Sequence, residues 1–241
     1  MANCGRHCLP QTVTVCDKIK HMSVRKVVFE INEFYHLYSR GNDKRKIFLT
    51  DNDYQRFICL LYAANSSGSI HLSDLHQWSS EVWEQKRLET LVDIGAYCLM
   101  PNHFHLLVRE KKEGGITVFM QKLLTGYSSY FNLKHKRTGK LFEGPFQATH
   151  VDNDPYLQYL YAYIHLNPVK ISNPDGWPDK IVQNVATAKT FLDNYTYSSY
   201  HDYLGRQRQE KTILNSGAFP DYFTNDINFE EFVADWMKYN S

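Results

Sequence analysis

"YCLMPNHFHLLV", residues 97–108, is the stretch on which the fold turns. Pro101-Asn102 is a turn signal between two apolar runs, so "LETLVDIGAYCLM" (88–100) and "HFHLLVREK" (103–111) read as the two strands of a hairpin. A strand sends alternate side chains to opposite faces, which puts His103 and His105 together on one face and Phe104 and Leu106 on the other. Two imidazoles side by side are placed to hold a metal ion. They are equally compatible with packing on a half-buried strand, so the rest of the chain has to decide.

Upstream, "FYHLYSRGNDK" (34–44) reads as an aromatic strand ended by Gly41 and Asn42. A helix follows, capped by Asp51 or Asp53, with Tyr54, Phe57, Ile58, Leu61 and Tyr62 as its apolar stripe. Residues 69–87 are polar and show little periodicity. Downstream, Gly114 and Gly115 break the second hairpin strand, and Val118, Phe119, Leu123, Leu124, Tyr127 and Phe131 mark a long amphipathic helix from Ile116 to about His135. "KLFEGPFQATHV" (140–151) reads as a strand interrupted at Gly144-Pro145. "DPYLQYLYAYIHLNP" (154–168) reads as a Tyr-rich helix with Asp154 as cap and Pro155 at its first position, running until Pro168 disfavours its continuation.

The order is therefore βαββαβ with a helix appended. That is the ferredoxin-like or RRM-like order: an α+β fold, an antiparallel sheet with its helices on one face. Three parts are expected: an N-terminal extension (1–30) without sustained period and poorly ordered, a central domain (31–172), and an accessory helical C-terminal region (173–241) with helical patches around 185–194 and 228–239. "YSSY" occurs at 127 and 197, but the flanks do not match and no repeat follows.

Composition narrows the class. At 241 residues, 43% hydrophobic and 22% charged, the chain is an ordinary globular protein with a net charge of +1. The charge is unevenly spread: eight Lys or Arg against two Glu lie between Arg109 and Lys140, a candidate anion-facing surface, whereas acidic residues outnumber basic ones ten to six from Asn173 onward. No apolar run approaches the roughly 18–20 residues of a membrane span, and a cytoplasmic location is expected. The five cysteines are an odd, scattered set that makes no disulfide framework. Cys4, Cys8, Cys16 and His7 lack the second half of a paired zinc motif.

Tyr163 and Asn167 are four residues apart and share a face of the terminal core helix. If that helix packs beside the histidine strand, two imidazoles, an amide oxygen and a phenol meet in one pocket, the elements of a phosphoryl-transfer site. A phenol with an ordinary pKa near 10 is a poor nucleophile at neutral pH unless a cation or base assists, and a metal can polarise the phosphate and balance developing charge. Tyr156, Tyr159 and Tyr163 form one helical stripe while Tyr161 faces elsewhere, and a tyrosine stripe is by default core. His165 is expected to point away from Asn167 and to be structural.

"MPNHFHLLV" and "YIHLNPVK" together resemble the single-tyrosine HUH transposases, specifically the REP-associated tyrosine transposase group. "FYHLYSRGNDKRKIF" with "DYQRFICLL", and "GKLFEGPFQATHV", resemble that group's first strand and helix and its last strand, so the similarity spans about residues 34–172. The resemblance implies the HUH endonuclease fold, with His103, His105 and Asn167 binding a divalent metal and Tyr163 as nucleophile. It implies a partner, single-stranded DNA with hairpin structure, cleaved to a 5′-phosphotyrosine bond and a free 3′-hydroxyl that permits rejoining without ATP. The metal implied is Mg2+ or Mn2+, although imidazole generally suits zinc, nickel or copper better. Relatives often continue the tyrosine motif with Ala-Gly where this chain has Ile171-Ser172.

For DNA contacts the sequence offers Arg40, beside Gly41, and Lys134, Lys136, Arg137 and Lys140 after the long helix. Gly41 is expected to let a hairpin or flanking base approach Arg40 closely. The competing reading is a non-catalytic nucleic-acid-binding module on an RRM-like sheet, with the histidines as packing residues. A histidine-triad hydrolase would need a further histidine at position 107, which is leucine. No membrane partner is expected, and the choice between monomer and homodimer stays open.

Overall fold

The computed structural model describes residues 27–172, 182, 184–223 and 229–238. The expected zinc-lacking cysteine segment at the N-terminus lies outside these. Four strands form one sheet: β1 (Phe34–Arg40), β2 (Val92–Met100), β3 (His103–Glu110) and β4 (Gln147–Val151), in the order β2-β3-β1-β4. All three pairings are antiparallel. The helices are α1 (Asp51–Ala64), α2 (Trp78–Glu81), α3 (Gly115–Lys134), α4 (Asp154–Leu166), α5 (Val169–Ser172), α6 (Val185–Asn194), α7 (Tyr200–Tyr203) and α8 (Phe229–Lys238). The central βαββαβ order and its α+β class are those read from the sequence, and the patches expected near 185–194 and 228–239 are α6 and α8.

Alternation along the strands builds two cores. Tyr35 and Leu37 of β1 and Phe104, Leu106 and Val108 of β3 join the buried faces of α1 and α3. Leu107 of β3 and Ala96, Cys98 and Met100 of β2 join α4 on the opposite side, together with α6, α8 and Tyr200. The two crossover helices thus share one face as expected, and the appended helix with the C-terminal region covers the other. β2 pairs with β3 across a shift between Ile94 and Ala96, so Val92 and Ile94 before it and Tyr97 and Leu99 after it face the first core while Ala96, Cys98 and Met100 face the second. Gly95 sits at that irregularity, where a Cβ would meet the Phe219 ring at 2.7 Å, so only glycine lets Phe219 close over the strand.

Local chemistry sets the boundaries, and several differ from expectation. α1 is capped by Thr50, and Asp53 at its third position reaches back to accept from the backbone N–H groups of Leu49 and Thr50 at 2.9 and 3.0 Å. α4 is capped one residue earlier than expected: the Asn153 side chain accepts from the Tyr156 N–H at 2.9 Å, which leaves Asp154 and Pro155 inside the first turn. α3 begins at a left-handed Gly114, and the Glu110 carboxylate at the end of β3 accepts from the Ile116 N–H at 2.7 Å. β4 begins only after Gly144-Pro145, because Phe142 is drawn into a bridge with Gly41 instead. Outside β2, Tyr197 and Ser199 exchange backbone hydrogen bonds with Leu99 and Tyr97, both 3.0 Å, so the C-terminal region shields that edge. Among the described residues no helix is long and apolar enough to cross a membrane.

Candidate active site

The register fixes which side chains meet on the face covered by α4. Tyr38 lies opposite His105 and Arg40 opposite His103, and His36 is the diagonal neighbour of His105. Even-numbered residues of β1 and odd-numbered residues of β3 therefore share this face. α4 lays Tyr163 over them: its ring stands edge-on to His105 at 5.4 Å and to His36 at 5.9 Å between centroids. The rings of His103 and His105 are 4.9 Å apart.

Hydrogen bonds orient both expected ligand histidines in the same sense. His103 Nδ1 lies 2.6 Å from Asn102 Oδ1, an acceptor, so the proton sits on Nδ1 and the Nε2 lone pair remains available. His105 Nδ1 lies 2.9 Å from His36 Nε2, fully inside the protein. Three polar atoms here are buried without a hydrogen-bond partner: His105 Nε2, His36 Nδ1 and Asn167 Oδ1. The Asn167 amide donates its Nδ2–H to the Tyr163 carbonyl at 2.8 Å, which orients the side chain one turn beyond the tyrosine. Asn167 keeps helical backbone angles, and Pro168 leads into α5 rather than ending the helical path abruptly.

Electrostatics keep the imidazoles neutral. Burial lowers the pKa of His36 to about 3. Burial, then the nearby Arg40 and Lys170 cations, lowers His103 to about 3, and burial with the adjacent His103 and His36 takes His105 well below the ordinary value. Neutral imidazoles are the ligand-competent form. Lys170 of α5 places its ammonium 4.9 Å from the centre of the Tyr163 ring, adding a cation beside the phenol.

Among the described residues no group of three or more His, Cys, Asp or Glu side chains is arranged to hold a metal. The orphaned His105 Nε2 and Asn167 Oδ1, with the free Nε2 lone pair of His103, are the kinds of atoms a cation satisfies, and burying them unpaired otherwise costs stability. The residues therefore fit a cation that takes its remaining oxygens from water and phosphate.

Other expected site residues are distributed as follows. His165 bonds through Nδ1 to the Tyr161 carbonyl and through Nε2 to Ser199 Oγ, both at 2.7 Å, tying α4 to the C-terminal region. Tyr161 faces away into Tyr203, Phe219 and Phe223, as the stripe predicts. Arg40 is exposed on the site face. Lys134 instead belongs to the far side of the sheet, bonded to Asp53 at 2.8 Å and to Thr50. Lys136 takes a left-handed turn there, and the Arg137 guanidinium lies 5.7 Å from the Phe131 ring. Lys140 is exposed next to Leu141, whose carbonyl accepts from Asn42, so it returns to the end of β1 near Arg40. A Cβ at Gly41 would lie 2.3 Å from the Arg45 carbonyl, so the chain's own tight turn already requires glycine there. Sequence reasoning missed His36 and Lys170. The alternation of residues 34–40 could have exposed His36, whereas Lys170 lies beyond the proline at which the helix was expected to stop.

No curated protein matches the chain. A solved structure described as a REP-associated tyrosine transposase bound to a REP hairpin is similar, with 14% identity and a TM-score of 0.47, covering 86% of this chain and 93% of that one. The family model described as "Transposase IS200 like" matches residues 32–167, a span that runs from the first strand through the tyrosine helix and contains His36, His103, His105, Tyr163 and Asn167. On that match, the chain belongs to the IS200-like transposase family.

Proposed function

We propose that the protein cleaves and rejoins single-stranded DNA at hairpin sites, with Tyr163 as nucleophile and His103, His105 and Asn167 as ligands of Mg2+ or Mn2+. The observation that carries this reading is the Tyr163 ring standing edge-on to His105 at 5.4 Å, with the orphaned Asn167 oxygen one helical turn away. A tyrosine in a plain core stripe would not be set against unpaired polar atoms. The hairpin in the similar solved structure belongs to that protein.

In this mechanism the Tyr163 oxygen attacks the phosphorus and loses its proton to water. A tyrosyl–phosphate bond to the 5′ side forms as the bond to the 3′ oxygen breaks, and that oxygen leaves as a hydroxyl after taking up a proton. Rejoining is the reverse attack by a 3′-hydroxyl, which returns the phenol. Bound cation supplies Lewis-acid polarisation of the phosphate. Lys170, whose ammonium lies over the Tyr163 ring, balances negative charge on the phosphate, and Arg40 with Lys140 contacts the backbone at the mouth of the site. Tyr163 is only 7% exposed, so the phosphodiester reaches it from the His103 side, where burial is incomplete.

The test is incubation of the full chain with hairpin oligonucleotides and Mg2+ or Mn2+, followed by denaturing electrophoresis. An adduct is expected with the wild type and with Tyr159→Phe, and none with Tyr163→Phe. An adduct that survives Tyr163→Phe would reject the assignment, and hairpin binding with no adduct in any variant would favour the non-catalytic module.

A further inference from the structure

His36 is a polar side chain of the site face to which neither the family match nor the sequence reading gives a task, yet it bonds directly to one of the expected ligand histidines. Its ring is 1% exposed, lies 5.0 Å from the His105 ring and bonds to His105 Nδ1 through Nε2 at 2.9 Å. One proton must lie between two neutral imidazoles, and it can belong to either ring. If His105 donates, its Nε2 carries a lone pair aimed away from His36. If His36 donates, His105 Nε2 carries the hydrogen and cannot ligate a cation. The second ring thus decides what the first can do.

We infer that His36 is a positioning residue which accepts a hydrogen bond from His105 Nδ1 and so fixes His105 in the tautomer whose Nε2 can bind a cation. The inference rests on the metal-dependent reading above. Two observations support it. His103 is held in the same sense by Asn102, so both rings present Nε2 while a neighbour occupies Nδ1. The diagonal placement of His36 and His105 on adjacent strands is fixed by the β1–β3 register, so the partner cannot drift with a loop. An imidazole acceptor is also less polarising than the carboxylate that often holds a ligand histidine, which leaves the site short of negative charge and open to a phosphate.

The probe is Mn2+ binding to the full chain without DNA, followed by the electron paramagnetic resonance signal of free Mn2+. His36→Leu is expected to weaken Mn2+ binding roughly 10–100-fold, the usual effect of losing such a partner. His36→Gln, whose side-chain oxygen can accept the same bond, is expected to stay close to wild type. Long-range proton–nitrogen spectra of the Mg2+-loaded wild type should place the His105 proton on Nδ1. Equal Mn2+ binding by wild type and folded His36→Leu overturns the inference, and so does a proton found on His105 Nε2. If His36→Leu does not fold, the wild-type spectrum decides alone. A wild type that binds no Mn2+ overturns this inference together with the metal reading, whereas Mn2+ binding that is lost with His103→Ala but unchanged by His36→Leu overturns this inference only.

Discussion

Phe104 and His105 are neighbours on β3 that point to opposite faces of the sheet, and their surroundings differ in kind. Phe104 packs against Phe57 and Phe142 with no polar atom to satisfy. His105 is equally enclosed but touches His36, His103, Tyr38 and Tyr163, and one of its nitrogens has no partner. The α1/α3 face is mostly an apolar core, and its buried Asp53 carboxylate is held by the Leu49 and Thr50 N–H groups and by Lys134. The α4 face buries polar groups without a protein partner, a cost that a bound ion or water would offset.

The sharpest way to break this contrast is to truncate one residue on each face. Phe104→Ala should destabilise the fold by about 3–5 kcal/mol, read as a lower urea midpoint, because it removes a ring from a core too rigid to refill the space. The double variant His36→Leu plus His105→Leu should behave oppositely. Removing both partners of a buried hydrogen bond and replacing them with apolar groups leaves no orphan, so stability should hold or rise by about 1 kcal/mol while the covalent DNA adduct disappears. A urea midpoint for the double variant as low as that of Phe104→Ala would mean that the second face is ordinary core.

The contrast was half legible in the sequence. Period-two alternation on 103–108 and the Pro101-Asn102 turn give the hairpin and the shared side of His103 and His105, since both signals are local. The Tyr163–Asn167 spacing is local too, and the helix delivers it as written. His36 was not legible because its meeting with His105 depends on β1 pairing with β3, a register between segments 69 residues apart. The start of β4 was misjudged for a similar reason: the bridge of Phe142 to Gly41 is a tertiary contact that sequence pattern does not carry. Lys134 read as part of a basic run, and only the packing of α3 on α1 shows that its charge is committed to Asp53.

That commitment gives the smallest and most conditional effect, on the closed face. Burial alone would raise the pKa of Asp53, but hydrogen bonds from Lys134, from the Leu49 N–H, from His135 and from the Thr50 N–H outweigh it and hold the carboxyl at about 2, below its ordinary 3.8. A carboxylate with a depressed folded pKa stabilises the native state fully above its unfolded value and loses that stabilisation as pH falls through the folded one. Asp53→Asn keeps the shape but discards the charge, and should cost about 1 kcal/mol of stability at pH 7 as part of the α1 cap and its Lys134 contact. The difference in melting temperature between wild type and Asp53→Asn should then shrink as pH is lowered from about 4 to about 2, because protonated Asp53 becomes equivalent to the amide. A difference that stays constant across that range would mean that the Asp53 charge contributes nothing, and that the cap works by hydrogen-bond shape alone.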